Sequence, residues 1–456
     1  MKILAAILLV SSVAAAEGMH VPLATVPLDP AHASDVGRVL YLNRCVGGCT
    51  ISVAGDDASA HTSTIPMIDP ANIAEWEKGD AAWQQLVQCV KEVYSPYGVT
   101  ITDVKPTDGS LYNEAIVAGR PSQIGWSGIG GVAPASCDPY NNVISFSFSQ
   151  IYGDVIDLCA TVAQETGHAY GLEHEYEFVD GRSACTDPMT YRTDCGGQRF
   201  FRNDAAYCGE YTKRSCNCGG TQNSHLQLLD ALGTGTPITA KPTVNYVSPV
   251  ANSMVKAGDR VIVTASAQRG IRRVELWING YKWNEVTGVP FGQGGQPAAS
   301  YQIPIPDGVP DSLLDLKVIA KDDIDAAAET TTVQVIKGAA CATADTCLAG
   351  QRCDAGRCLW DPAVGEFGDA CTYEQYCKSG ICGGVEGSKI CTSKCVPGNT
   401  DSCAEGYVCE QFGPGDALCL TGAADDPGCC STGNGAAVQS TALGLALITL
   451  LRRRRR

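Results

Sequence analysis

Apolar and polar side chains alternate along residues 243–337 with the two-residue period of β-strands. The clearest apolar sets are residues 261–265, Val274 with Leu276 and Ile278, Leu316 with Val318 and Ala320, and Val333 with Val335. Between two of these runs, Asn279-Gly280 indicates a two-residue hairpin, because both central positions of a type I′ turn need positive φ. Short strands at this spacing predict an all-β sandwich.

Residues 36–235 combine strand and helix patterns, which predicts an α+β domain. We expect strands at residues 39–42, 99–104 and 143–148, and a helix at residues 81–94. A second helix should follow Asp154, whose side chain can cap it. Its apolar positions are Val155, Ile156, Leu158 and Val162.

Residues 341–419 are an internal repeat of twelve cysteines in three groups of four, with few large apolar residues. Such units cannot bury enough surface to fold unaided, so we expect disulfides to hold them together. The chain of 456 residues is therefore predicted to be multidomain, with an α+β domain, a β-sandwich and small disulfide-rich repeats.

Both ends of the chain carry apolar segments. Residues 1–16 contain Lys2, then an apolar run and then an Ala14-x-Ala16 pattern, which together predict a cleaved signal peptide. Residues 428–456 contain Cys429 and Cys430, an apolar run of the minimum length for a membrane span, and five arginines. The arginines should stay on the cytoplasmic side, so this segment is expected to associate with a membrane.

Composition supports export. The 24 cysteines indicate an oxidising compartment and hence disulfides. Removing Lys2 and the five terminal arginines from the 33 basic residues leaves 27 against 49 acidic ones. This acidic surface repels nucleic acid, which we therefore exclude as a partner.

The strongest chemical signal is residues 164–174, which read Gln-Glu-Thr-Gly-His-Ala-Tyr-Gly-Leu-Glu-His. On a helix, Gln164 and His168 are one turn apart and share a face, while Glu165 is offset by about 100° and can reach water at the same point. Gly171 lets the chain turn, which should bring His174 back. The spacing predicts a metal site.

This segment resembles the metzincin zinc metallopeptidases, whose pattern is His-Glu-x-x-His-x-x-Gly-x-x-His followed by a methionine turn. The resemblance covers about 200 residues. It implies metal ligation by residues 164, 168 and 174, and catalysis by Glu165. Met189, within Asp187-Pro188-Met189-Thr190-Tyr191, matches the methionine beneath the ligands. Tyr191 matches a tyrosine that in some branches ligates zinc and then stabilises the oxyanion.

One position departs from the pattern, because Gln164 stands where the first histidine is expected. A neutral amide oxygen donates less charge than imidazole, so zinc affinity should fall. Gln164 could ligate weakly with help from Tyr191, or the chain could keep the shape of the site without the metal. The sequence leaves both open.

Three further segments resemble known modules. Residues 243–337 resemble the immunoglobulin-like domains of bacterial surface proteins, and residues 341–419 resemble cysteine-rich modules of myxobacterial surface proteins. The box at residues 430–433, the apolar run and the arginine end resemble the myxobacterial C-terminal sorting signal, whose members are processed near the cysteine and displayed on the surface. A plain membrane anchor is the alternative.

The sequence therefore predicts an exported zinc metalloendopeptidase, displayed on the outer membrane surface or secreted, that cleaves extracellular proteins or peptides. The main alternative is a non-catalytic surface binding or adhesion protein built on a degenerate peptidase fold. A cell-wall spacer is a third possibility.

Overall fold

A computed structural model describes residues 19–22, 36–107, 109–288, 298–384, 387–395, 403–413 and 416–421. The chain divides into two compact units, Met1–Leu359 and Trp360–Arg456. The predicted signal peptide at 1–16 and the predicted sorting segment at 428–456, with Cys429 and Cys430, lie outside the described residues. None of the helices in the described ranges combines the length and apolar character that a membrane crossing requires.

The first part of the Met1–Leu359 unit mixes strands and helices. Its strands are β1 (Met19–Pro22), β2 (Val39–Asn43), β3 (Cys49–Val53), β4 (Thr62–Ser63), β5 (Ala71–Ile73), β6 (Thr100–Thr102), β7 (Asn113–Val117), β8 (Gly131–Ala135), β9 (Ile144–Ser147), β10 (Glu175–Phe178) and β11 (Ala206–Cys208). Its helices are α1 (Gly79–Tyr94), α2 (Val155–Ala169) and α3 (Ser224–Leu232). The strands predicted at 39–42, 99–104 and 143–148 and the helix predicted at 81–94 are present as β2, β6, β9 and α1.

Six strands form the main sheet in the order β1-β8-β9-β7-β2-β6. Strands β6, β2, β7 and β9 run parallel, whereas β8 is antiparallel to β9. Strands β7 and β9 are buried along their whole length, as expected of parallel strands covered on both faces.

Helices α1 and α2 pack together and share one hydrophobic core. Helix α1 buries side chains at the helical spacing of Trp83, Leu86, Val90 and Val93. The disulfide between Cys89 and Cys159 joins α1 to α2. Helix α2 also lies against β7, β8 and β9, so the main sheet fixes the helix that carries the predicted metal ligands.

Residues 243–337 form two antiparallel sheets around a common apolar core. The strands are β12 (Thr243–Ser248), β13 (Arg260–Ser266), β14 (Arg273–Ile278), β15 (Tyr281–Thr287), β16 (Ala299–Pro304), β17 (Ser312–Lys321), β18 (Ala327–Glu329) and β19 (Val333–Lys337). One sheet has the order β12-β13-β16; the other has β15-β14-β17-β18, with β19 also paired to β17. Asn279 and Gly280 have φ values of +52° and +83° and join β14 to β15, which confirms the predicted hairpin.

The cysteine-rich region consists of short hairpins held by disulfides. Its strands are β20 (Gln351–Asp354), β21 (Arg357–Trp360), β22 (Cys382–Gly383), β23 (Ile390–Cys391), β24 (Tyr407–Gly413) and β25 (Asp416–Thr421). Within each predicted group of four cysteines, the first pairs with the third and the second with the fourth. The disulfides expected from the sequence are therefore present, and all six pairs fall within groups.

Candidate metal centre

Helix α2 carries three of the predicted site residues. Asp154 caps it as predicted, because its side chain accepts a hydrogen bond of 2.7 Å from the backbone N–H of Ile156. Gln164 and His168 lie one turn apart and are both buried. The Nε2 of Gln164 has no hydrogen-bond partner among the described residues.

The chain turns at Gly171, just after α2. Its φ is +90°, and a Cβ at this position would lie 2.8 Å from the carbonyl oxygen of Cys137. Both facts favour glycine. The turn returns the chain so that Nε2 of His174 lies 2.9 Å from Nε2 of His168. The structure thus brings together the two predicted histidine ligands.

The second ring nitrogen of each histidine faces an oxygen that can only accept a hydrogen bond. His168 Nδ1 lies 2.7 Å from the carbonyl oxygen of Leu172, and His174 Nδ1 lies 3.2 Å from Oε1 of Glu210. In the neutral rings each Nδ1 therefore carries the proton, which leaves a lone pair on each Nε2. Two lone pairs that converge at 2.9 Å repel each other unless the two nitrogens share a proton or a metal ion. The donor set therefore fits zinc, which favours neutral imidazole oriented in this way.

The side chain of Glu210 is the partner of His174. The hydrogen bond from His174 is the main reason that the pKa of Glu210 falls to about 2, and Arg214 contributes in the same direction while burial opposes it. Arg214 also donates to Glu173, one residue before His174. These contacts fix the orientation of the His174 ring.

Glu165 is buried against strand β8. Its two carboxylate oxygens have no hydrogen-bond partner among the described residues, and burial raises its pKa well above the ordinary value. A Cβ on Gly131 of β8 would lie 2.6 Å from Cγ of Glu165. Glycine at residue 131 therefore leaves the space that this carboxyl occupies.

Met189 packs against α2 at Gly167. A Cβ on Gly167 of α2 would lie 2.6 Å from the sulfur of Met189, so glycine permits the close approach. The backbone N–H of Met189 donates to Oδ1 of Asp187 at 2.9 Å. The carbonyl of Met189 accepts a 2.5 Å bond from the backbone N–H of Glu175, next to His174.

Tyr191 packs against His174, with 4.4 Å between ring centroids. Beside it opens a cleft of about 330 Å³ whose walls include Tyr176, Glu210 and Tyr211. A larger groove of about 550 Å³ lies in the Trp360–Arg456 unit beside Tyr373, and the residues that line it include no histidine or carboxylate. The smaller cleft is therefore the better candidate for binding a substrate at this centre.

Sequence reasoning missed Glu210, Gly131, Gly167 and Asp187. Glu210 belongs to no spaced motif, Asp187 stands in the methionine turn without an assigned role, and the two glycines stand in a chain that contains 50. It also missed the disulfide from Cys137 to Cys218, beside the Gly171 turn. No local pattern indicates the contacts of Glu210, Gly131 and Gly167 or this disulfide, because each joins segments that are distant in the chain.

Comparisons with known proteins identify one part of the chain. The family profile described as a bacterial Ig domain matches residues 242–308. A search of curated proteins found no match.

Among solved structures, the fibronectin(III)-like modules of Clostridium thermocellum CbhA share 19% identity, covering 21% of this chain and 96% of theirs, with a TM-score of 0.16. LPMO10B from Micromonospora aurantiaca shares 15% identity; the match covers 27% of this chain and 64% of that protein, with a TM-score of 0.16. OgpA from Akkermansia muciniphila shares 12% identity; the match covers 50% of this chain and 66% of that protein, with a TM-score of 0.16. This chain thus spans just under two thirds of the last two proteins. Together with the structure, the family match describes a multidomain, strand-rich protein with an immunoglobulin-like domain and a disulfide-rich C-terminal region.

Proposed function

We propose that this protein is an exported, metzincin-like zinc metalloendopeptidase that cleaves extracellular proteins or peptides. The observation that carries the proposal is the convergence of His168 and His174, whose Nε2 atoms lie 2.9 Å apart. Glu165, a buried carboxyl without a hydrogen-bond partner among the described residues, lies on helix α2 with His168. Two imidazoles and one buried carboxyl, joined by a glycine turn, are the components of a zinc peptidase.

Zinc would be held by His168, His174 and, more weakly, the side-chain oxygen of Gln164. The acceptors on each Nδ1 support this assignment, because they orient both rings with the Nε2 lone pair inward. Tyr191, packed on His174, is the further candidate ligand. When bound, zinc supplies a Lewis acid that activates water and polarises a carbonyl.

The side chains of this protein supply the proton transfer. Glu165 accepts a proton from the water whose oxygen attacks the scissile carbonyl carbon. It then delivers that proton to the amine nitrogen as the C–N bond breaks. The Tyr191 hydroxyl donates a hydrogen bond to the oxyanion that forms on the carbonyl oxygen.

The order of elements also supports a metzincin-like domain at residues 36–235. Strand β2, helix α1, strand β6 and strand β9 precede the site helix α2, in the order predicted from the sequence, and this order fits the metzincin resemblance. A backbone hydrogen bond between Glu175 and Met189 joins the methionine turn to the segment that follows the Gly171 turn and His174.

The disulfides support export. Among the described residues, eleven pairs involve 22 of the chain's 24 cysteines, and such a density is typical of an oxidising compartment. The predicted signal peptide and the predicted sorting segment are consistent with display at the outer membrane surface, processed near Cys429 or Cys430.

Metal analysis of the purified secreted protein tests the proposal. After gentle dialysis it should contain less than one zinc per chain, and Gln164→His should raise the retained zinc because imidazole replaces a weak amide donor. Cleavage of a denatured protein should stop with a chelator and return with zinc. If neither the parent nor Gln164→His retains zinc, the binding or adhesion function is favoured instead.

A further inference from the structure

A fully buried cluster of charged residues joins the candidate metal centre to the immunoglobulin-like sandwich. Arg202 belongs to the first part of the unit, whereas Arg269 and Asp323 belong to loops of the sandwich. The carboxylate of Asp323 accepts from Arg269 Nε at 2.7 Å and Nη2 at 2.9 Å, and from Arg202 Nη1 at 3.2 Å. Burial alone would raise the pKa of Asp323, but the two guanidiniums outweigh it and lower the pKa to about 2.

The contacts of the two arginines are reciprocal. Arg202 Nη1 donates to the carbonyl oxygen of Arg269 at 2.7 Å, and Arg269 Nη2 donates to the carbonyl oxygen of Phe201 at 3.1 Å. Both guanidiniums lie over the ring of Phe200, at 5.6 and 4.6 Å from its centroid. Burying three charges is costly unless each is paired, so this geometry disfavours a loosely attached sandwich.

The cluster continues into the methionine turn. Arg202 donates from Nε to the carbonyl oxygen of Thr186 at 3.2 Å, and from its backbone N–H to Asp187 Oδ2 at 2.7 Å. The other oxygen of Asp187, Oδ1, accepts a hydrogen bond of 2.9 Å from the backbone N–H of Met189. A chain of direct contacts thus runs from Asp323 of the sandwich to Met189, which packs against Gly167, the neighbour of His168, and accepts a hydrogen bond from Glu175, the neighbour of His174.

We propose that Asp323 and Arg202 are positioning residues of the metal centre, through which the immunoglobulin-like sandwich fixes the methionine turn under His168 and His174. The sandwich is then a required part of the centre and not an appended spacer. The zinc measurement below rests on the proposed function, whereas the histidine spectra do not.

The test compares Asp323→Asn with Asp325→Asn in the full secreted chain. Both changes remove one carboxylate from the same loop, but Asp325 is exposed and pairs with Arg273 at the surface. Zinc affinity is measured by chelator competition, and the imidazole signals of His168 and His174 by nitrogen-15 NMR. Circular dichroism establishes the temperature range in which each variant is folded. We expect Asp323→Asn to shift both histidine signals and weaken zinc binding at least tenfold, and Asp325→Asn to change neither.

A lower unfolding temperature with unchanged histidine signals and zinc affinity would show that Asp323 is only structural, and would overturn the proposal. If Asp323→Asn does not fold, Arg202→Lys decides by the same criteria, because it keeps the charge but not the planar fork of donors. If the parent binds no zinc, the proposed function fails. The histidine signals still decide this inference, which is supported only if Asp323→Asn or Arg202→Lys shifts them and Asp325→Asn does not.

Discussion

Gln164 and Glu165 are neighbours on α2 with different proposed roles. Gln164 presents an amide where the pattern has its first histidine, so in the proposed enzyme it would affect only how tightly zinc is held. Glu165 is the only carboxyl on α2 that the structure buries completely, and its oxygens have no hydrogen-bond partner among the described residues. Its proposed function is proton transfer, which excess metal cannot replace.

We therefore expect Glu165→Gln to remove nearly all peptidase activity and Gln164→Ala to leave part of it in saturating zinc. General acid-base catalysis contributes roughly 10²- to 10⁴-fold, so the loss in Glu165→Gln should be of this size. The measurement is kcat/KM on a denatured protein substrate with a chelator control. Cleavage that resists the chelator, or a fully active Glu165→Gln variant, would show that another centre is the catalyst.

Glu114 is a second buried carboxyl, in the centre of the main sheet. Burial raises its pKa from 4.5 to about 7, although hydrogen bonding by Asn43 and the charge of Lys105 oppose the rise. A carboxyl with a raised pKa binds its proton more tightly in the folded protein than in the unfolded chain. Stability should therefore fall as the pH rises from about 4.5 to about 7.

Glu114→Gln stays uncharged, so it should be about as stable as the parent at pH 4 and more stable at pH 8. The gain at pH 8 should reach at most about 3 kcal/mol in the free energy of unfolding. Urea unfolding at both pH values measures it, with the exposed Glu77→Gln as the control. Equal effects of the two substitutions at pH 8 would contradict the assignment.

At the scale of elements, the packing of strand β8 on helix α2 places Glu165. Gly131→Ala should displace Glu165, because the added Cβ would lie 2.6 Å from its Cγ and 2.8 Å from the backbone oxygen of Phe146, which cannot move away easily. We expect activity to fall at least tenfold while zinc content stays at the level of the parent. Parallel assays of kcat and bound zinc measure this.

Gly153→Ala is the matched control, because a Cβ there meets no atom within 4 Å and its φ is not positive. It should change neither activity nor zinc content. If Gly131→Ala is equally silent, β8 does not position the carboxyl.

At the scale of the whole molecule, the cysteine-rich region depends on its disulfides. Each group pairs first with third and second with fourth cysteine, as in Cys341–Cys353 with Cys347–Cys358. Mass mapping of the unreduced secreted protein should therefore recover six such pairs from residues 341–419 and no alkylatable thiol there. Pairs that cross between groups, or several free thiols, would contradict this arrangement.

The sequence by itself determined the features that depend on local spacing. The alternation in residues 243–337 determined the strands of the sandwich, and Asn279-Gly280 determined its hairpin. The helical spacing after Asp154 determined α2, and with Gly171 it predicted that His168 and His174 converge. These local predictions succeed because the periods of strands and helices fix the directions of side chains over a few residues.

Only the tertiary structure decided which distant groups complete the centre. Glu210 orients His174 from 36 residues away, and Gly131 leaves room for Glu165 from 34 residues away. The burial of Asp323 with Arg202 joins residues 121 positions apart. No period or motif relates such positions, because their proximity results from sheet order and domain packing, which the whole chain determines together.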